Sequence, residues 1–273
     1  MKFLRIHLPS AVTLSCIAIA LWYGPVPQLA NYHDFADHSH ALGIPHCMDV
    51  LSNLGFAIVA LWGIWHLFPV RQHHAIRHGF PGYALFLTSL FFTAIGSSYY
   101  HLAPDNARLV WDRLPIALAC AGLLAGVWGD VWTRSSKILT LMLSTLALSS
   151  VVWWHYTEQA GAGDLRPYLL LQGLPLILIP LWQKIHHAPR AERLAFAGAV
   201  GCYVLAKLAE LADHPIAVLT GFISGHSLKH LLASLAAALI VARLLRRTQQ
   251  SETLQKSAHH SFTHPTQQGH SSC

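Results

Sequence analysis

Stretches of about twenty apolar residues recur along this chain, and they restrict its fold more than any single motif does. They lie at about 50–68, 81–101, 108–130, 137–156, 167–183, 193–213 and 225–245, with short polar segments between. Each matches in length the hydrocarbon core of a bilayer, about 30 Å thick. A further run from Leu8 to Tyr23 follows Lys2 and Arg5, and no small-x-small cleavage site follows it closely. That run is therefore expected to be a retained helix rather than a cleaved leader. Strand-type alternation is absent, which argues against a β-barrel. Charged residues make up 11% of the chain, against about 25% in soluble domains. The expected fold is all-α: a multi-pass membrane protein with a seven-helix core plus one N-terminal helix. Residues 1–48 would form that helix and a non-cytoplasmic loop, 49–246 the core, and 247–273 a polar, disordered cytoplasmic tail.

Charge sets the expected orientation. Arg71, Arg77, Arg134, Lys137, Lys184, Arg190, Arg243 and Arg246 fall at alternate ends of the spans, together with Lys2 and Arg5. Basic loops face the cytoplasm. A cell-membrane location follows as an expectation, with the 25–48, 102–107, 157–166 and 214–224 segments facing away from the cytoplasm. The net charge of +6 is spread between apolar runs, so no nucleic-acid partner is expected. The five cysteines are scattered and never spaced as CxxC, which suggests neither a disulfide framework nor a thiolate metal site.

The stretch GHSLKH carries the strongest chemical signal. His226 and His230 are four residues apart at the start of the last span, so a helix sets both imidazoles on one face. Such a pair can grip one metal ion, and polar groups inside a span usually have a function. The same depth should hold His101 at the end of the 81–101 run, Ser97 one turn deeper, and Asp112 early in the next run. Three neutral imidazoles leave a fourth position on zinc for water. Asp112 could then take a proton, and Ser97 could stabilise an oxyanion. Blander roles compete: a hydrated helix end for His101, a dipole interaction for Asp112, and a backbone hydrogen bond for Ser97.

Taken together, these residues resemble the alkaline ceramidase family, one of the CREST group of seven-helix membrane hydrolases and receptors. The resemblance rests on Ser52-Asn53, on Gly96-Ser97 with His101, on Asp112 in WDRLP, and on His226 with His230. It runs from about Asp49 to Ala238. It implies Zn2+ held by His101, His226 and His230, with Ser97 and Asp112 catalytic. It also implies hydrolysis of ceramide-like lipid amides, drawn from the bilayer, to a fatty acid and a sphingoid base. The chain departs from the family in three places. The family's calcium loop is not matched, although Asp34, Asp37 and Asp49 offer oxygens. Its His-x-Trp-Trp-His becomes His226-Ser-Leu-Lys-His230, so Lys229 is expected to point away from the metal face or to pair with Glu210 or Asp213. Its helix-five tyrosine has no clear counterpart, Tyr168 and Gln172 being alternatives.

A second class of function fits the same pattern: a ligand receptor related to the progestin and adipoQ receptors, with structural zinc. A transporter is disfavoured by the absence of a repeat or a broken mid-span helix. Elsewhere, the histidines of the 25–48 loop read as solvated, and Lys207 with Glu210 as a structural pair. Asp164 and Arg166 read as either a turn-forming ion pair or a headgroup contact. Trp22, Trp132 and Trp182 read as interfacial anchors, and Trp111 as either a lid over the site or part of that belt.

Overall fold

The computed structural model describes residues 2–263, and side chains over residues 6–250. It is all-α apart from one small hairpin. The helices are α1 (Lys2–Tyr23), α2 (Cys47–Ser52), α3 (Leu54–Leu67), α4 (Phe80–Leu102), α5 (Asn106–Trp132), α6 (Lys137–Gln159), α7 (Arg166–Ile185), α8 (Arg190–Leu211), α9 (Asp213–Thr220) and α10 (Gly225–Thr263). Among the described residues, eight helical segments are long and apolar enough to cross a membrane, α2 and α3 together making one of them. Large apolar side chains such as Ile58, Trp65, Phe92 and Leu141 are exposed on the outside, as lipid-facing surfaces require.

Helices α3, α4, α5, α7, α8 and α10 contact one another in sequence and close into a ring. Helix α6 packs outside it, against α5 and α7, and α1 lies along α7. The α4–α5 contact is backbone to backbone. A Cβ added to Gly82 would lie 2.2 Å from the Gly126 nitrogen, and one added to Gly96 would lie 2.0 Å from the Trp111 carbonyl oxygen. Only glycine permits that approach. The contact at Gly96 brings Ser97 of α4 beside Asp112 of α5.

The segment before α2 is more ordered than a solvated loop. Strands β1 (His40–Ala41) and β2 (Ile44–Pro45) pair antiparallel around Leu42 and Gly43, both with positive φ, the backbone of a two-residue hairpin turn. His38 and His40 are exposed as expected, but His33 and His46 are not simply solvated. The His33 ring bonds the Tyr100 hydroxyl at 2.8 Å and the Asn106 side chain at 2.9 Å, while His46 meets the Asp37 carbonyl. A loop lying against a helix end must satisfy the polar groups it covers, and the two rings do so.

Two further expectations are corrected. Trp182 is buried among Leu178, Ile179 and Phe196 rather than interfacial, because its face of α7 turns to the bundle; Trp22 is exposed. Helix α10 also passes the boundary at 246. Arg247 binds Asp130 at 2.7 Å and Thr248 is buried, so the polar stretch begins as packed helix, because the half-buried Asp130 carboxylate draws in a cation. The rest of the expected tail, residues 264–273, lies outside the described residues.

Asp164 and Arg166 form a turn-closing pair. Arg166 Nη2 and Nε reach the carboxylate at 2.9 to 3.1 Å, Trp153 Nε1 donates to it at 3.0 Å, and the Val26 amide also points at it. Burial works against ionisation of Asp164, but these hydrogen bonds outweigh it and hold the carboxyl well below the usual carboxylate range. The stabilisation is therefore present above the unfolded carboxylate pKa, about 3.9, and is lost as pH falls through the lower folded value. Asp164→Asn should lower the thermal unfolding midpoint in detergent at pH 7, and the gap from wild type should narrow below about pH 4. A gap that stayed constant with pH would contradict this linkage. Gly82→Ala should cost about 1–3 kcal/mol through overpacking against α5. Gly173→Ala, where nothing stands within 4 Å of the added carbon, should cost nothing; equal losses would refute the backbone-contact account.

Candidate metal centre

His101 comes from the last turn of α4, and His226 and His230 from the first turns of α10. All three are buried, at 1%, 4% and 4% exposure. Each offers one ligand nitrogen, and these nitrogens lie within 4.8 Å of one another. Nε2 of His226 and Nε2 of His101 are 3.1 Å apart. Two nitrogens on one tetrahedral zinc, each at about 2.0–2.1 Å, stand at nearly that separation. This is the only cluster of three or more ligand-type side chains found among the described residues. Asp112 stands outside it, and Asp34, Asp37 and Asp49 do not gather into another.

Neighbouring groups fix the rings. The Ser52 hydroxyl meets Nδ1 of His230 at 2.8 Å. Nδ1 of His101 faces Asp49 Oδ2 at 3.9 Å. That leaves Nε2 of these two rings for an ion, as in a metal-bound histidine whose other nitrogen faces a neighbouring polar group. Both Asp49 Oδ2 and His101 Nδ1 are buried without a hydrogen-bond partner. Three apolar-walled imidazoles, with a carboxylate turned toward one of them, are a donor set that fits a metal ion better than an all-protein hydrogen-bond network.

Asp49 is fully buried, and its other oxygen accepts from Ser224 at 2.8 Å and Ser227 at 2.6 Å. From the residues it offered only a calcium oxygen; in the fold it holds the start of α10 and turns its second oxygen toward His101. Its one legible signal was its place three residues before Ser52, on the same helical face. Asp213 does related work. It accepts from the His226 amide at 2.7 Å and the Ala36 amide at 2.9 Å, capping the start of α10 and anchoring the loop. That loop lays Phe35 over the centre, its ring 4.3 Å from His226 and 4.8 Å from His101. Trp111 is 58% exposed, so Phe35, not Trp111, covers the site.

Ser97 is 1% exposed and Asp112 8% exposed, both buried where α4 and α5 touch at Gly96. With His230 they line a cavity of about 320 Å³ inside the helix ring. Phe56, Phe86, Leu90, Leu123 and Ile240 give it apolar walls, and Tyr168 and Gln172 lie across it, bonded to each other at 2.8 Å. Lys229 pairs with Glu210 at 3.0 Å, and Glu210 also takes Lys207 at 2.7 Å. Lys229 does not point away from the centre, however: its Nζ lies 2.8 Å from His226 Nε2. An ion using that lone pair would leave Lys229 to Glu210.

No protein-family model matches the chain, and no curated protein is significantly similar to it.

Removing a ligand and removing its support should differ in degree. His230→Ala should abolish stoichiometric metal in purified protein, whereas Asp49→Asn and Ser52→Ala should weaken retention about 10- to 100-fold. Metal content after dialysis against graded chelator reads the difference. Full retention in Asp49→Asn would show that the carboxylate does not support His101.

Proposed function

We propose that this chain is a zinc-dependent intramembrane amidase that hydrolyses ceramide-like lipid amides, as its resemblance to the alkaline ceramidases implies. One observation carries the reading. Three buried imidazoles form one cluster, and one of them, His230, lines an apolar-walled cavity inside a helix ring together with Ser97 and Asp112. Zinc held by His101, His226 and His230 would supply Lewis-acid polarisation of the amide carbonyl and of water.

The chain's own residues would do the rest. The apolar walls from α3, α4, α5 and α10 hold an acyl chain, and burial of its methylenes drives entry from the bilayer. Asp112 accepts a proton from the attacking water at its carboxylate and returns it to the departing nitrogen, so the amine leaves neutral. Ser97, beside Asp112 in the cavity lining, would turn its hydroxyl toward the developing oxyanion. Phe35 excludes bulk water above the centre, which strengthens each of these polar interactions. The distribution of Lys and Arg among the loops supports a site facing away from the cytoplasm.

Metal analysis of purified protein, followed by release of fatty acid from N-acylsphingosines in detergent micelles, tests the reading. Stoichiometric zinc with zinc-dependent release is expected. Zinc without release of fatty acid from any lipid amide would favour a receptor instead. Asp112→Asn should keep the metal yet lower kcat about 10²- to 10⁴-fold; unchanged kcat would remove Asp112 from proton handling.

A further inference from the structure

Arg113, the residue after Asp112, has no part in the chemistry above, yet it lines the same cavity. It is 2% exposed, and both Nε and Nη1 are buried without a hydrogen-bond partner. Its guanidinium carbon lies 3.9 Å from the Trp154 ring centre, 5.0 Å from that of Tyr32 and 5.5 Å from that of Tyr168. This aromatic cage satisfies the flat faces of the cation. It leaves the N–H edges, which lie in the plane, with nothing to donate to.

The other charges in the cavity do not answer it. Glu210 is held by Lys207 and Lys229 together, and no carboxylate among the described residues forms an ion pair with Arg113. The lining therefore carries Arg113, Lys207 and Lys229 against Asp112 and Glu210, an excess of one cation before any metal is counted. A buried guanidinium with free donors is costly, and membrane interiors rarely hold one without a use. A ceramide's hydroxyls bring no countercharge. A carboxylate does, and its two oxygens fit the fork of donors that a guanidinium presents.

We propose that the cavity selects lipid amides whose amine half carries a carboxylate, of the N-acyl amino acid type, and that Arg113 is the residue that binds this carboxylate. The inference rests on the amidase reading: it keeps the fatty-acyl half and the amide bond and replaces the sphingoid half with an anionic one. Hydrolysis adds water across the amide C–N bond: the acyl carbon gains the hydroxyl, the nitrogen gains the proton, and the amino acid leaves with its own carboxylate unchanged.

The zinc-loaded full chain should be given N-palmitoylglycine and N-palmitoylethanolamine, which share an acyl chain and differ in head-group charge. A preference for the glycine conjugate of about 10- to 100-fold in kcat/KM is expected, most of it in KM. Arg113→Gln should collapse that ratio toward one, and Arg113→Lys should restore part of it. Equilibrium binding of the same two radiolabelled compounds to metal-stripped protein separates the two ideas. If neither amide is cleaved but the glycine conjugate binds more tightly in an Arg113-dependent manner, the subsite stands and the amidase reading fails. If wild-type protein cleaves the neutral amide as well as the anionic one, the subsite is refuted and the amidase survives. A preference that persists in Arg113→Gln would likewise overturn the assignment.

Discussion

Asp49 is a fully buried carboxylate at the point where α2, α4 and the start of α10 meet, and the candidate metal centre is built around what it binds. One oxygen gathers the hydroxyls of Ser224 and Ser227 and so fixes the entry into α10. The other faces His101 across from them. A carboxylate in this environment is tolerated only when several donors converge on it. That requirement ties three chain segments, distant in sequence, to one place, and it sets the spacing of the imidazoles as a by-product.

The helix ring and its cover follow from a similar demand. Backbone contact between α4 and α5 is possible because glycines stand at the crossing, and the contact places Ser97 against Asp112. Asp213 holds the His226 amide in the first turn of α10 and, with its second oxygen, the loop that carries Phe35. The polar groups that shape the site thus also anchor its lid. Inside the ring the walls are apolar except for two belts of charge, one at Ser97, Asp112 and Arg113 and one at Lys207, Glu210 and Lys229.

Much of this was legible in the residues. The spans could be read from run lengths, because the backbone of a membrane segment must close its own hydrogen bonds and so declares itself as a long apolar helix. His101, His226 and His230 were legible from spacing and from their shared depth. Asp49, Arg113 and Phe35 were not assigned their roles. Asp49 looked like one acid among several before the first core span, and Arg113 belonged to no motif that set it apart. Nothing in a linear pattern tells an arginine stacked on Trp154 from one reaching for water. Trp182 was misplaced for the same reason, since proximity to a span's end does not say which way a side chain turns.

Sequence by itself determined the number and order of the membrane-length helices and the chemical identity of the candidate ligands, because both follow from local composition and the period of a helix. Only the tertiary structure decided which buried groups have partners. Pairing is a property of surfaces brought together: Ser52 with His230, Asp213 with Ala36 and His226, and Glu210 with Lys229 are each joined across separate segments. The same packing left the Arg113 edges unpaired within the cavity, a residual charge that no count of acids and bases along the chain would have located.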